Sequence, residues 1–215
     1  MLLVFDLDGT LYEAKAVYFR VAYRLLSELG IDVPDEETLL RYTGRNLSEF
    51  FRNVLPDGMD MTAARERYIK LVREETSSGG HLFSGVYEMI DGLYSDGHEI
   101  YICSNSPEEY IRFVLDSNGL TTFISGYLSA ERMRSKAELI AGLIKPGIPA
   151  IVIGDTHGDI EAAHENGLPA IAAAYGYGNK EMLATAEYMA NSPEEIVDYI
   201  RRIIAADKHH PPSNG

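Results

Sequence analysis

The sequence predicts an α/β protein, a doubly wound parallel sheet interrupted after its first strand by a bundle of helices. Two observations carry this reading. Three short, largely apolar runs, at residues 2–5, 99–103 and 150–153, each stop at a polar cluster, as strands buried on both faces do. Stretches with apolar residues near i, i+3 and i+4, as at 108–118 and 138–144, lie between them. Strands alternating with helices build βα units on a parallel sheet.

The first strand, Leu2-Leu3-Val4-Phe5, runs straight into Asp6-Leu7-Asp8-Gly9-Thr10. Residues 13–80 then change character. Amphipathic patterns at 17–29, 36–42, 47–54 and 63–75 are punctuated by Gly30, Pro34, Gly44 and Pro56-Asp57-Gly58, with no strand-like alternation. This predicts four inserted helices ending in a flexible Ser77-Ser78-Gly79-Gly80 segment. The second strand stops at Ser104-Asn105-Ser106-Pro107 and the third at Gly154-Asp155. Residues 169–174 add another strand, with Tyr175-Gly176-Tyr177-Gly178 as its exit loop. Pro193 opens a last helix reaching about residue 205. The expected organisation is a core of residues 1–12 and 81–207, a helical insertion at 13–80, and a disordered tail at 208–215 that has nothing apolar to bury.

Of the 215 residues, 46% are hydrophobic and 24% charged, and no run approaches the roughly 20 apolar residues of a membrane span. The run at 2–5 is too short, and lacks the basic leader, for a signal peptide. The formal net charge of −14 argues against nucleic acid or an anionic membrane as partner, since both are bound through clustered Lys and Arg. An anionic small molecule would have to be met by local cations, a metal or oriented backbone amides. The single cysteine, Cys103, lies in an apolar run and reads as a buried reduced thiol, consistent with the cytoplasm.

In sheets of this kind ligands sit outside the carboxyl ends of the strands, where every one of these polar clusters falls. On an extended chain end Asp6 and Asp8 point to the same side, so their repulsion favours a divalent cation or a shared proton. Gly9 allows a sharp turn and close approach to a ligand. A solvated acidic turn is the plainer alternative. Gly154-Asp155-Thr156-His157-Gly158-Asp159 offers two aspartates at i and i+4, and hard oxygen ligands are what Mg²⁺ selects. Asp155 is the better direct ligand. Asp159 ligates, acts through water, or simply caps the following helix. His157 between them reads as a solvent-facing loop residue. Ser104 and Asn105 stand where a helix starts, either as an anion site or as an ordinary N-cap. Lys136, ahead of the third strand, either clamps an anion or is solvated.

These four segments, in this order, resemble the four signature motifs of the haloacid dehalogenase-like superfamily, and the chain's end, through Tyr175-Gly176-Tyr177-Gly178 and Ser192-Pro193, is similar to that of its phosphoglycolate phosphatase-like members. The resemblance implies a Rossmann-like core with residues 13–80 as a helical-bundle cap domain. It implies an Mg²⁺-dependent phosphatase of small phosphorylated metabolites, as a monomer or homodimer. Asp6 would be the nucleophile that forms an aspartyl-phosphate, and Asp8 the general acid and base. Mg²⁺ would be held by Asp6, the backbone carbonyl of Asp8 and Asp155, with Asp159 in support. Ser104, Asn105 and Lys136 would hold the phosphoryl oxygens. Thr10 is similar to the phosphatases, whereas a phosphomutase of the β-phosphoglucomutase type is the alternative. A phosphorylatable receiver-like switch lacks the inserted helices, and a silent binding module would not need the whole polar set. Many phosphoglycolate phosphatase-like members have proline where Ala137 follows Lys136. The Lys145-Pro146 pair lies too close to the third strand to serve instead. In the expected cap, Arg45 resembles a substrate-facing residue, with an outward, solvated arginine equally open. Lys15, Tyr18 and Arg20 are weaker candidates.

Overall fold

The computed structural model describes residues 1–42, 46–131 and 134–209. Six parallel strands form one sheet in the order β5-β4-β1-β6-β7-β8: Leu2–Phe5 (β1), Glu99–Ser104 (β4), Gly126–Ser129 (β5), Ala150–Gly154 (β6), Ala170–Ala173 (β7) and Tyr188–Ala190 (β8). β1 is central, with Leu3 in register with Ile100 on one side and Ile151 on the other. The period of two along a strand sorts its side chains into two layers. Leu3 and Phe5 pack with Val86–Ser95 (α5), Glu108–Ser117 (α6) and Pro193–His209 (α10). Leu2 and Val4 face Lys136–Ala141 (α7), His157–Glu165 (α8) and the short Lys180–Leu183 (α9). The three expected strands are therefore neighbours, and their carboxyl ends open on one rim.

Among the described residues, four helices stand in the insertion: Lys15–Glu28 (α1), Glu36–Leu40 (α2), Leu47–Val54 (α3) and Met61–Gly79 (α4). Their apolar faces close on Val17, Val21, Leu25, Phe50, Phe51 and Leu71. Ion pairs from Arg20 and Arg24 to Glu75, and from Arg67 to Glu28, align α1 with α4. Each is open to solvent and screened by it, so the apolar seam holds the helices together.

Several expectations are corrected. Ser77, Ser78 and Gly79 are not a flexible linker but the last turn of α4. The chain then pairs His81–Leu82 (β3) antiparallel with Tyr12–Glu13 (β2), so both connections to the insertion run side by side. α7 opens at Lys136 as expected but stops at Ala141, short of the expected 144, and α10 continues beyond 205 to His209, inside the expected tail. Residues 210–215 lie outside the described residues. The edge strands β5 and β8 were not anticipated.

The insertion is also fastened to the core away from that ribbon. Arg65 of α4 meets the buried Glu131, beyond β5, through two bonds of 2.8 and 2.9 Å, and reaches Glu109 of α6 at 3.2 Å. Asn46 donates to the carbonyls of Ala130 and Glu131.

Candidate active site

Three adjacent strand ends build the site. Asp6 continues β1 by one ladder bond, its N–H donating to the carbonyl of Ile153 at 2.8 Å, which fixes its backbone at the rim. Ser104 closes β4, and Asp155 follows β6. Lys136 comes from α7, whose first turn is set by the capping box of Ser135 and Glu138. Its ammonium lies 2.7 Å from Asp6 Oδ1 and 2.5 Å from Asp159 Oδ1, with all three side chains buried.

Asp155 is held from both sides. Thr10 Oγ1 donates to its Oδ1 at 3.2 Å and the Tyr177 N–H to its Oδ2 at 2.8 Å. The Tyr175 hydroxyl donates to the Thr10 carbonyl at 2.8 Å, locking the loop after Asp6 to the loop after β7. The packing leaves no room for a Cβ at several glycines, among them Gly9, Gly154, Gly176 and Gly178. At Gly9, whose φ is 91°, it would overlap the Asp155 carboxylate, and at Gly178 the Asp155 carbonyl. Gly178→Ala should therefore shift the Tyr177 loop, lowering stability by about 1–3 kcal/mol and turnover with it. Thermal unfolding and steady-state kinetics check this; a variant matching the wild type in both would refute it.

Asp159 serves two purposes. Its Oδ2 accepts from the N–H and hydroxyl of Thr156, at 3.0 and 2.6 Å, at the start of α8, while Oδ1 faces Lys136. One carboxylate thus both caps α8 and pairs with Lys136. His157 instead turns to Glu161, 3.1 Å away on the exposed side of α8.

The electrostatics are strained. Asp6, Asp155 and Asp159 bring carboxylate oxygens within 4.8 Å of one another. Burial, opposed by Lys136 but reinforced by Asp159 and Asp155, pushes the Asp6 carboxyl well above the usual aspartate range. Burial and Asp159 push Asp155 up to about 7. Burial works against the charge on Lys136, yet Asp159 and Asp6 outweigh it and keep it a firm ammonium. One ammonium among three buried carboxylates leaves negative charge uncompensated, in an all-oxygen donor set at the scale a divalent cation bridges. The residues fit Mg²⁺.

Asp8 is turned elsewhere. Its oxygens accept from Ser106 Oγ at 2.7 Å and the Tyr110 hydroxyl at 2.6 Å, while burial still raises its pKa. The side chain of Asp8 is thus not part of the carboxylate cluster, leaving only its backbone carbonyl as the metal ligand the resemblance suggests. A cavity of about 60 Å³ lies over Asp6 and Asp8. Ser104, Asn105, Pro107 and Tyr110 line it from the core, and Tyr18, Tyr42, Phe50 and Tyr68 from the insertion.

The structure thus gathers Asp6, Lys136, Asp155 and Asp159 in one cluster and puts Asp6, Asp8, Ser104 and Asn105 on the cavity wall. Arg45 lies outside the described residues. Lys15 sits over the Phe19 ring and Arg20 pairs with Glu75, whereas Tyr18 faces the cavity. The Lys145 alternative is settled by place, since its ammonium pairs with Glu99 on the surface at 2.9 Å. Sequence reasoning missed the partners: Ser106 and Tyr110 on Asp8, and Thr156 and Tyr177 on the acidic pair. The Thr156-x-x-Asp159 and Ser135-x-x-Glu138 capping boxes at the starts of α8 and α7 carried readable local signals.

Parallel sheet, inserted helices and a rim of buried carboxylates around a lysine define a class. The model of the haloacid dehalogenase-like hydrolases matches residues 3–173, and the chain belongs to that family. It is 26% identical to a phosphoglycolate phosphatase of Pseudomonas syringae pv. tomato, over 94% of this chain and 78% of that one. It is 28% identical to a 5'-nucleotidase of Pseudomonas aeruginosa, over 84% and 86%. A haloacid dehalogenase-like hydrolase of Streptococcus pneumoniae shares the fold at a TM-score of 0.75 and 23% identity, covering 93% of this chain and 97% of that one. Among the described residues no helix is long and apolar enough to cross a membrane.

Proposed function

We propose that this hydrolase is an Mg²⁺-dependent phosphatase of small phosphate monoesters, working through an aspartyl-phosphate on Asp6. The observation that carries the reading is the joining of the buried Asp6, Asp155, Asp159 and Lys136 cluster to a cavity that Asp6 shares with Asp8 and Ser104. The similarity to a phosphoglycolate phosphatase and a 5'-nucleotidase supports the same chemistry.

In this mechanism a carboxylate oxygen of Asp6 attacks phosphorus, and the bond to the ester oxygen breaks. The leaving oxygen takes a proton from Asp8. Asp8, now a carboxylate, takes a proton from water as that water attacks the phosphorus of the aspartyl-phosphate. Phosphate leaves and both aspartates are restored. Ser104, Asn105 and Lys136 hold the phosphoryl oxygens, and Lys136 keeps Asp6 oriented between turnovers. Asp6, Asp155 and the carbonyl of Asp8 would hold Mg²⁺, with Asp159 fixing Lys136 beside them. The metal, when bound, neutralises charge on the transferring phosphoryl group.

Residues 13–80 act as a cap in this reading. The helices roof the cavity with Tyr18, Tyr42, Phe50 and Tyr68, excluding water other than the attacking one and selecting the leaving group. The protein is expected to work in the cytoplasm. Cys103 stays reduced there, buried with its thiol pushed up to about 12 and so unreactive.

Phosphate release from p-nitrophenyl phosphate and a panel of phosphorylated metabolites tests the proposal. Turnover should require added Mg²⁺ and stop in excess chelator, then return when the metal is restored. Turnover that persists in chelator would remove the metal from the reading, and a panel with no phosphate released would remove the reading itself.

A further inference from the structure

The direction of the Asp8 carboxyl is not left to chance. Both oxygens accept hydrogen bonds from the start of one helix: Ser106 Oγ at 2.7 Å to Oδ2, and the Tyr110 hydroxyl at 2.6 Å to Oδ1. These donors are themselves anchored. Ser106 is tied to two neighbouring strand ends, its N–H donating to Ser104 Oγ at 3.1 Å and its carbonyl accepting from Ser129 Oγ at 2.7 Å. Tyr110 belongs to the buried face of α6 with Ile111, Val114 and Leu115. A phenol hydroxyl in such a face costs stability unless it is bonded, and phenylalanine would pack there without that cost. The hydroxyl spends its bond on Asp8, 102 positions back in the chain. The same ring lines the cavity beside Asp6 and Asp8.

We propose that Tyr110, seconded by Ser106, is a positioning residue that aims the Asp8 carboxyl at the leaving oxygen. The inference rests on Asp8 being the general acid of the preceding reading and goes beyond it, by naming what sets that acid's geometry. A proton must reach an alkoxide as it leaves, whereas a nitrophenolate departs with little help. Misaiming Asp8 therefore penalises alkyl esters selectively, and a loss of general packing does not.

The test is kcat/KM for glycerol 2-phosphate and p-nitrophenyl phosphate in the wild type, Tyr110→Phe, Ser106→Ala and Asp8→Asn, all with Mg²⁺. This ratio covers the steps up to transfer onto Asp6, where Asp8 donates its proton. Tyr110→Phe keeps the ring and should lower kcat/KM for the glycerol ester about 10- to 100-fold, part of the roughly 10²- to 10⁴-fold that acid catalysis contributes. Its loss on the nitrophenyl ester should be at least about tenfold smaller, with Ser106→Ala following the same pattern more weakly and Asp8→Asn more strongly. Equal losses of Tyr110→Phe on both esters, or no loss on either, would overturn the inference while leaving the phosphatase reading intact, provided Asp8→Asn discriminates. An Asp8→Asn variant that does not discriminate, or a wild type inactive on both esters, would overturn the inference together with the reading beneath it.

Discussion

Asp6→Asn should lower turnover of every phosphate ester by more than about 10³-fold, because the amide cannot accept the phosphoryl group and nothing else at the rim replaces it. The same substitution should leave the fold intact. Asp6 is buried among like charges that push its carboxyl toward the neutral form, so an amide relieves repulsion there rather than creating a new buried charge. In metal-free protein the thermal midpoint should stay within about 3 °C of wild type, corresponding to about 1 kcal/mol for a chain of this size. Steady-state phosphate release and thermal unfolding on one preparation check both halves. Residual activity near wild type would show that Asp6 is not the nucleophile.

Lys136→Ala is expected to have the largest effect on stability. Its ammonium is the charge that Asp6 and Asp159 share in a buried place, and removing one partner of such a set costs about 3–5 kcal/mol. For a chain of this length that lowers the thermal midpoint by roughly 6–20 °C without metal. Mg²⁺ should recover part of the loss, since a cation can replace the missing charge among the three carboxylates. Turnover should fall as well, with Asp6 no longer held and the phosphoryl oxygens short of a donor. A midpoint equal to wild type without metal would mean that the lysine balances nothing.

The parts of this molecule legible in its sequence are those written locally. Leu2–Phe5 and Ala150–Gly154 are apolar at nearly every position because both faces of a central strand are covered, and their ends announce Asp6 and Asp155. β5 and β8 are edge strands of four and three residues, half-buried except at Ala190, and no periodicity marks them. Ser77, Ser78 and Gly79 have the composition of a linker, yet α4 carries through them. Packing along α1 supports that helix, and the chain must reach β3. The site was legible at its carboxylates and at Lys136, which stand beside recognisable strand ends and a helix start. It was not legible at Tyr110. A tyrosine on the apolar face of an amphipathic helix looks like any core aromatic, and its partner Asp8 is on another strand end.

The antiparallel ribbon of Tyr12–Glu13 and His81–Leu82 restricts how the two parts of the chain can shift against each other. Under the proposed cap reading, two bodies joined by a pair of adjacent strands would share one pivot, about which α1–α4 would tilt rather than slide. Such a tilt would carry Tyr18, Phe50 and Tyr68 away from Asp8, and it would first have to release Arg65 from Glu131. Asp6, Lys136, Asp155 and Asp159 all stand on the core side of that line, and their spacing would not depend on such a tilt. Under the proposed reading, admission and chemistry would fall to different pieces of the chain, so that the contour of the roof could change with the reactive groups left undisturbed.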